Sequence, residues 1–208
     1  MRAMSARAVI LLCLAALLVP RAAVADGPSS SARRCEALKE TAVAKATAAI
    51  LECYAAADGA GRLLDPACQD AARAALARTL AALDSAGGCA MEGDYSIRAR
   101  KIQSLVGTLE FELGIPDGET VPCRAAKWKA TAAASRAGIE CYAAAEAKGL
   151  AVDPLCLARG TKPLGSAFAA AEQKPGCEQP VSPDDVAVAI GDFGKSLQQG
   201  ADVAAPGE

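Results

Sequence analysis

Eight of the nine cysteines fall into two sets of four with identical spacing. Cys35, Cys53, Cys68 and Cys89 are separated by 18, 15 and 21 residues, and Cys123, Cys141, Cys156 and Cys177 by the same intervals. Shifting the first set by 88 residues gives the second. Residues 35–89 align without a gap on 123–177, with 22 identities in 55 positions. Glu52-Cys53-Tyr54 recurs as Glu140-Cys141-Tyr142, and Asp65-Pro66 as Asp153-Pro154. A duplication this clear restricts the fold to two copies of one supersecondary unit in tandem.

The pattern inside each copy is helical. Alanine supplies 52 of the 208 residues, and the first segment, from about Cys35 to Ala57, is rich in Ala, Leu, Lys and Glu. All are good helix formers. Asp65-Pro66 reads as the cap and first position of a second helix, which stops at Gly87-Gly88. A third helix starts near Asp94 and carries Ile102, Leu105, Val106 and Leu109 on one face. Val186, Ile190, Phe193 and Leu197 do the same in the second copy. Gly160 and Pro163 stand where the first copy has alanine, so its middle helix is expected to break there. No stretch alternates in the strand manner. The expected fold is all-α, with two tandem three-helix units, each containing a disulfide-stapled antiparallel helical hairpin. The units span 35–113 and 123–199, with a Gly/Pro-rich linker at 114–122 and flexible tails at 26–34 and 200–208.

Helix geometry selects the disulfides. Cys35 and Cys53 share a helix face but lie about 27 Å apart along the axis, beyond the ~7 Å that a disulfide spans. In an antiparallel hairpin Cys53 is level with Cys68, and Cys35 with Cys89. The nested pairing follows: Cys35–Cys89 and Cys53–Cys68, then Cys123–Cys177 and Cys141–Cys156. Positions 35, 39, 42, 46, 49, 53 and 56 alternate steps of four and three and form the hairpin seam, opposed by Leu76 and Leu80. The alternative of two four-cysteine zinc sites lacks the close C-x-x-C pairs such sites use.

Residues 1–25 read as a signal peptide. Arg2 and Arg7 precede an apolar run from Ala8 to Val19, and Ala23-Val24-Ala25 supplies the cleavage pattern. Twelve apolar residues reach only about 18 Å as a helix, too short to span a membrane. Cleavage near Ala25 leaves 19 basic against 24 acidic side chains, a net charge of −5. That balance gives no electrostatic footprint for nucleic acid, and no later stretch suits a membrane span. The expected location is secreted or periplasmic, which suits disulfides.

Composition also excludes chemistry. The chain has no histidine and no asparagine. Imidazole bases, His-ligated metals and N-glycosylation sequons are therefore absent. Nothing in the sequence specifies a catalytic, cofactor-binding or metal site. Lys39 and Lys127 occupy matched inward positions and are expected to lay their stems on the seam with the ammonium reaching water. Glu110, Glu112, Asp184 and Asp185 read as solvated helix faces. Tyr54 and Tyr142, with the unmatched Trp128, are the candidates for an interaction surface, since such side chains favour interfaces.

The pattern C-x17-C-x14-C-x20-C, with Asp-Pro-x-Cys at its third cysteine, resembles a helical repeat of uncharacterised exported bacterial proteins, often duplicated and Ala/Lys-rich. The resemblance covers roughly 35–199 and implies architecture and export; it implies no reaction. The expected role is a non-enzymatic exported structural or protein-interaction module. The partner would be an unknown protein or envelope component. The alternatives are a carrier of a small apolar ligand and a secreted inhibitor or defence protein.

Overall fold

Ser29 opens the first helix by accepting a hydrogen bond from the backbone N–H of Ala32 at 3.2 Å. In the computed structural model, which describes residues 28–177 and 181–202, α1 runs from Ser30 to Ala60. The expected tail at 26–34 is corrected here: its last five residues are the first turns of α1. The signal peptide expected at 1–25 lies outside the described residues, as does the end of the chain beyond Asp202. Gly61 closes α1 in the left-handed conformation, and Gly149 closes the equivalent helix of the second repeat in the same way.

Asp65 caps α2 (Pro66–Ala86), its carboxylate accepting from Ala67 N–H at 2.9 Å. Next come α3 (Tyr95–Leu113) and the long α4 (Pro122–Lys148). Pro163 splits the counterpart of α2 into α5 (Pro154–Thr161) and α6 (Pro163–Ala171), as expected from its missing N–H. The last helix is α7 (Pro183–Asp202). Asp117 of the linker forms an isolated antiparallel bridge with Leu63 in the turn before Pro66; no strand occurs among the described residues. No described helix is long and apolar enough to cross a membrane.

Four disulfides staple the hairpins in the nested arrangement. Cys35 pairs with Cys89 and Cys53 with Cys68, at Cα separations of 5.1 and 6.0 Å. Cys123 pairs with Cys177 and Cys141 with Cys156, at 5.5 and 5.9 Å. The seam is closed by Leu76 and Leu80 in the first repeat and by Leu164 and Phe168 in the second, all buried. Ala56, placed on the seam by its spacing, is exposed.

The most extensive contact in the molecule lies elsewhere. α1 and α4 run antiparallel along their whole lengths. Arg33 meets Gly149, Tyr54 meets Trp128 and Asp58 meets Arg124. This register places Thr47 level with Ser135, its own counterpart in the repeat. The two copies are thus related by an approximate two-fold axis at the middle of the long helices. Ala37, Glu40, Ala44, Thr47, Leu51, Tyr54 and Asp58 form the contact stripe of α1, and all seven are buried. The third helices pair with each other as well, α3 packing chiefly on α7. One apolar core therefore draws on both repeats, from Val43, Leu51 and Leu80 to Ile139, Phe168 and Ile190. The expected three-helix units do not each enclose a core of their own.

Candidate functional site

The expected interaction surface is corrected by burial. Tyr54 and Tyr142 are each 1% exposed and Trp128 is 0% exposed. Tyr54 and Trp128 stack at 4.5 Å between ring centroids, tilted by 32°, inside the α1–α4 contact. Tyr54 donates its hydroxyl to Glu110 of α3. Burial, followed by this bond to Glu110, holds the Tyr54 phenol above its ordinary pKa. Tyr142 donates to the carbonyl of Gly191 in α7 at 2.8 Å. These aromatics are interface residues, as their type suggests, but the interface is the one between the two repeats.

The matched lysines are also not as expected. Lys39 is wholly buried and its ammonium does not reach water. It meets Asp84 at 2.6 Å and Asp94 at 3.1 Å, and donates to the carbonyl of Met91. Lys127 meets Glu172 at 2.8 Å and lies 5.4 Å from the centre of the Phe168 ring. Asp84 and Glu172 are themselves repeat counterparts, so the same ion pair ties the hairpin in both copies. Arg98 extends the first network to Glu36 at 2.6 Å and to Asp94. These ion pairs link the two helices of each hairpin at matched positions, with Asp84 and Glu172 as the more exposed partners.

The surface feature that stands out is a groove of about 920 Å³ in the second repeat. Its floor is the face of α4 that carries Ala126, Ala130, Ala133 and Ala137. One wall is the end of α1, at Ala55 and Gly59. The other is α5 and α6, from Gly160 to Ala171. The wall is seated closely: a Cβ on Gly160 would lie 3.2 Å from that of Ala137.

The first repeat carries the same groove in reduced form, at about 390 Å³. The difference has a residue-level cause. Leu38, Thr79 and Leu83 line the smaller groove, and their counterparts in the larger one are Ala126, Ala167 and Ala171. Its edges differ in charge too. Thr41, Ala71 and Ala86 correspond to Lys129, Arg159 and Lys174, all three exposed, whereas Lys45 corresponds to Ala133. No acidic residue lines the larger groove. Lys129 and Lys174 have no ion pair among the described residues, and Arg159 has only a loose one, 3.9 Å from Asp153. The two repeats thus differ here, a narrower trough in the first and a wider one edged by three cations in the second.

Sequence reasoning missed the groove, although the signal was present. Read position by position, the duplication shows large side chains becoming alanine on one face of α4 and on the facing wall. Comparison with family models, with curated proteins and with solved structures finds no match to this chain.

Proposed function

We propose that the chain is a non-enzymatic module of the cell envelope or exterior, exported through residues 1–25, that engages a protein partner through its second repeat. The observation that carries this reading is the open groove of about 920 Å³ beside a stapled hairpin. The four disulfides support an oxidising compartment. They also make the groove walls rigid, which lowers the entropy lost when a partner is bound. The buried charged networks serve the fold, leaving a shaped surface as the feature available to other molecules. The two grooves differ in size and charge, so the duplication supplies one engaging face and one supporting face. This reading also carries the resemblance to duplicated four-cysteine repeats of exported bacterial proteins, for which no activity is implied.

The test is made in cells. A photo-reactive residue is placed at Ala133 in the groove, at Arg78 on α2 and at Ser104 on α3, all exposed. Exported protein is recovered, its N-terminus and thiols are read by intact mass, and its adducts are mapped. A discrete protein adduct from the Ala133 variant, with oxidised cysteines and a start at Asp26, supports the reading. Reduced cysteines in a retained precursor, or equal labelling from every position, would overturn it.

The carrier alternative has an observation of its own, since the groove is mainly apolar. It is open along its length, however, whereas small-ligand pockets bury most of the ligand.

A further inference from the structure

We infer that the groove of the second repeat docks one acidic, amphipathic helix of about four turns. This deepens the reading of the chain as an interaction module by naming the chemistry of the partner. Length comes first. From Pro122 to Ala137 the floor follows α4 through 15 residue steps, about 22 Å at 1.5 Å per step. The floor is alanine, and small side chains let a second helix approach to about 8 Å. An incoming helix would present apolar residues at i, i+3 or i+4, i+7 and i+11, the usual anchors of a helix laid in a groove.

Charge then distinguishes a helix from a single-headed amphiphile. Lys174 lies three residues before Cys177, which is bonded to Cys123, so it stands at the Pro122 end. Lys129 is two turns further along α4. Arg159 precedes Gly160, which packs against Ala137 at the far end. The cations are spread along the trough. A fatty acid or lysolipid concentrates its charge at one end and would meet one of them. A helix with Asp and Glu on both sides of an apolar stripe meets all three. The groove belongs to a chain with a net charge of −5 once residues 1–25 are removed, so its cationic edge runs against the overall balance. That contrast marks a local selection for negative charge in the occupant.

The experiment uses the full oxidised chain and a display library of 18-residue helical peptides with one randomised face. The expected result is enrichment of peptides with an Ala/Leu stripe flanked by Asp or Glu. Their affinity should fall at least tenfold in the variant Lys129→Glu/Arg159→Glu/Lys174→Glu. Ala126→Leu, which restores the bulk of Leu38, should weaken binding by a similar factor without adding charge. Both changes are outside the apolar core, and a melt identical to that of the parent excludes misfolding. Enriched peptides without an acidic bias, peptides indifferent to both variants, or no enrichment at all overturn the inference. So does palmitate binding at micromolar concentration that is lost in the groove variants while peptides fail to bind. Concentration-dependent dimerisation abolished by Ala126→Leu would instead make a second copy the occupant. The wider reading fails separately, through retention of the precursor or labelling of every face in cells.

Discussion

Arg124 holds Asp58 with two hydrogen bonds across the end of the α1–α4 contact, Nε at 2.9 Å from one carboxylate oxygen and Nη2 at 2.7 Å from the other. The Asp58 side chain is wholly shielded, while that of Arg124 keeps 17% of its surface exposed. Burial raises the Asp58 pKa and the guanidinium opposes that rise. Replacing Arg124 with Met leaves a buried carboxylate without its partner, a loss of about 3 kcal/mol at pH 7 for pairs of this kind. With its pKa raised further, Asp58 takes up a proton at mild acidity, and the folded state then avoids the buried charge. The destabilisation by Arg124→Met should therefore be largest at pH 7–8 and shrink toward pH 4. Urea midpoints at both pH values check this. An equal loss at each would remove Asp58 from the explanation.

Glu40 gives a second pH dependence with a different partner set. Its repeat counterpart is Trp128, so a carboxylate occupies a position that an indole fills in the other copy. Glu40 is buried, and its Oε2 has no hydrogen-bond partner among the described residues. Burial, then the nearby Glu146, lifts its pKa from 4.5 to about 8, with Glu36 adding to the rise and Arg98 and Lys101 opposing it. The folded chain keeps this proton in a range where the unfolded chain has lost it. Stability from this group is therefore lost as pH rises from about 4.5 through about 8. Glu40→Gln removes the titration. Its melting temperature should exceed that of the parent at pH 9, by an amount worth a few kcal/mol, with little gain at pH 5. A gain independent of pH would point to packing.

Much of the hairpin was legible because helix spacing leaves few options. Cysteines 18 residues apart on one helix cannot meet, and the turn at Asp65-Pro66 fixes which ones are level. The α1–α4 contact was not legible for the opposite reason. Its stripe includes Glu40, Thr47 and Asp58, residues that ordinarily face water, so the pattern looks like a solvated face. The burial of Asp58, for one, depends on Arg124, a partner 66 residues away. The aromatic pair Tyr54 and Trp128 was recognised by type and misplaced by location. The groove was hidden because alanine marks both close packing and empty space, and only the position-by-position comparison of the repeats separates the two.

The staples carry a stability prediction of their own. The Cys53–Cys68 bond closes a separation of 15 residues and Cys35–Cys89 one of 54. The chain-entropy model assigns them about 3 and about 4 kcal/mol, less when nested. The Ala-rich seam between the helices buries little area per residue. Full reduction should remove most of the helical circular dichroism at 37 °C, and Cys35→Ser/Cys89→Ser alone should lower the melting temperature while leaving helix content at 20 °C. A reduced protein that melts with the oxidised one would show that the shared α1–α4 core suffices.

Thr47 and Ser135 sit at the middle of the long helices, each wholly buried and each with a hydroxyl that has no partner among the described residues. A buried hydroxyl without a hydrogen bond costs about 1–3 kcal/mol. Thr47→Val keeps the shape of the side chain and removes that cost. It should raise stability by about 1 kcal/mol, and with Ser135→Ala added the gain should not be simply additive, because the two positions are level across the axis. Independent gains from the two changes would place the hydroxyls in separate environments and argue against the two-fold register.

Two glycines one turn apart in α7 test how closely that helix is seated. A Cβ on Gly194 would lie 2.1 Å from the ring of Tyr142, whereas a Cβ on Gly191 would meet nothing within 4 Å. Tyr142 cannot swing away, since it is buried and its hydroxyl is bonded to the Gly191 carbonyl at 2.8 Å. Gly194→Ala must push α7 off α4 and disturb its packing on α3, a cost of about 3 kcal/mol for overpacking at a rigid site. Gly191→Ala meets no obstacle and gains helix propensity, worth up to about 1 kcal/mol. Thermal melts of the two variants should therefore move in opposite directions from the parent. If Gly194→Ala melted with Gly191→Ala, α7 would be able to shift at little cost. The contact that joins the third helices of the two repeats would then be looser than its geometry implies.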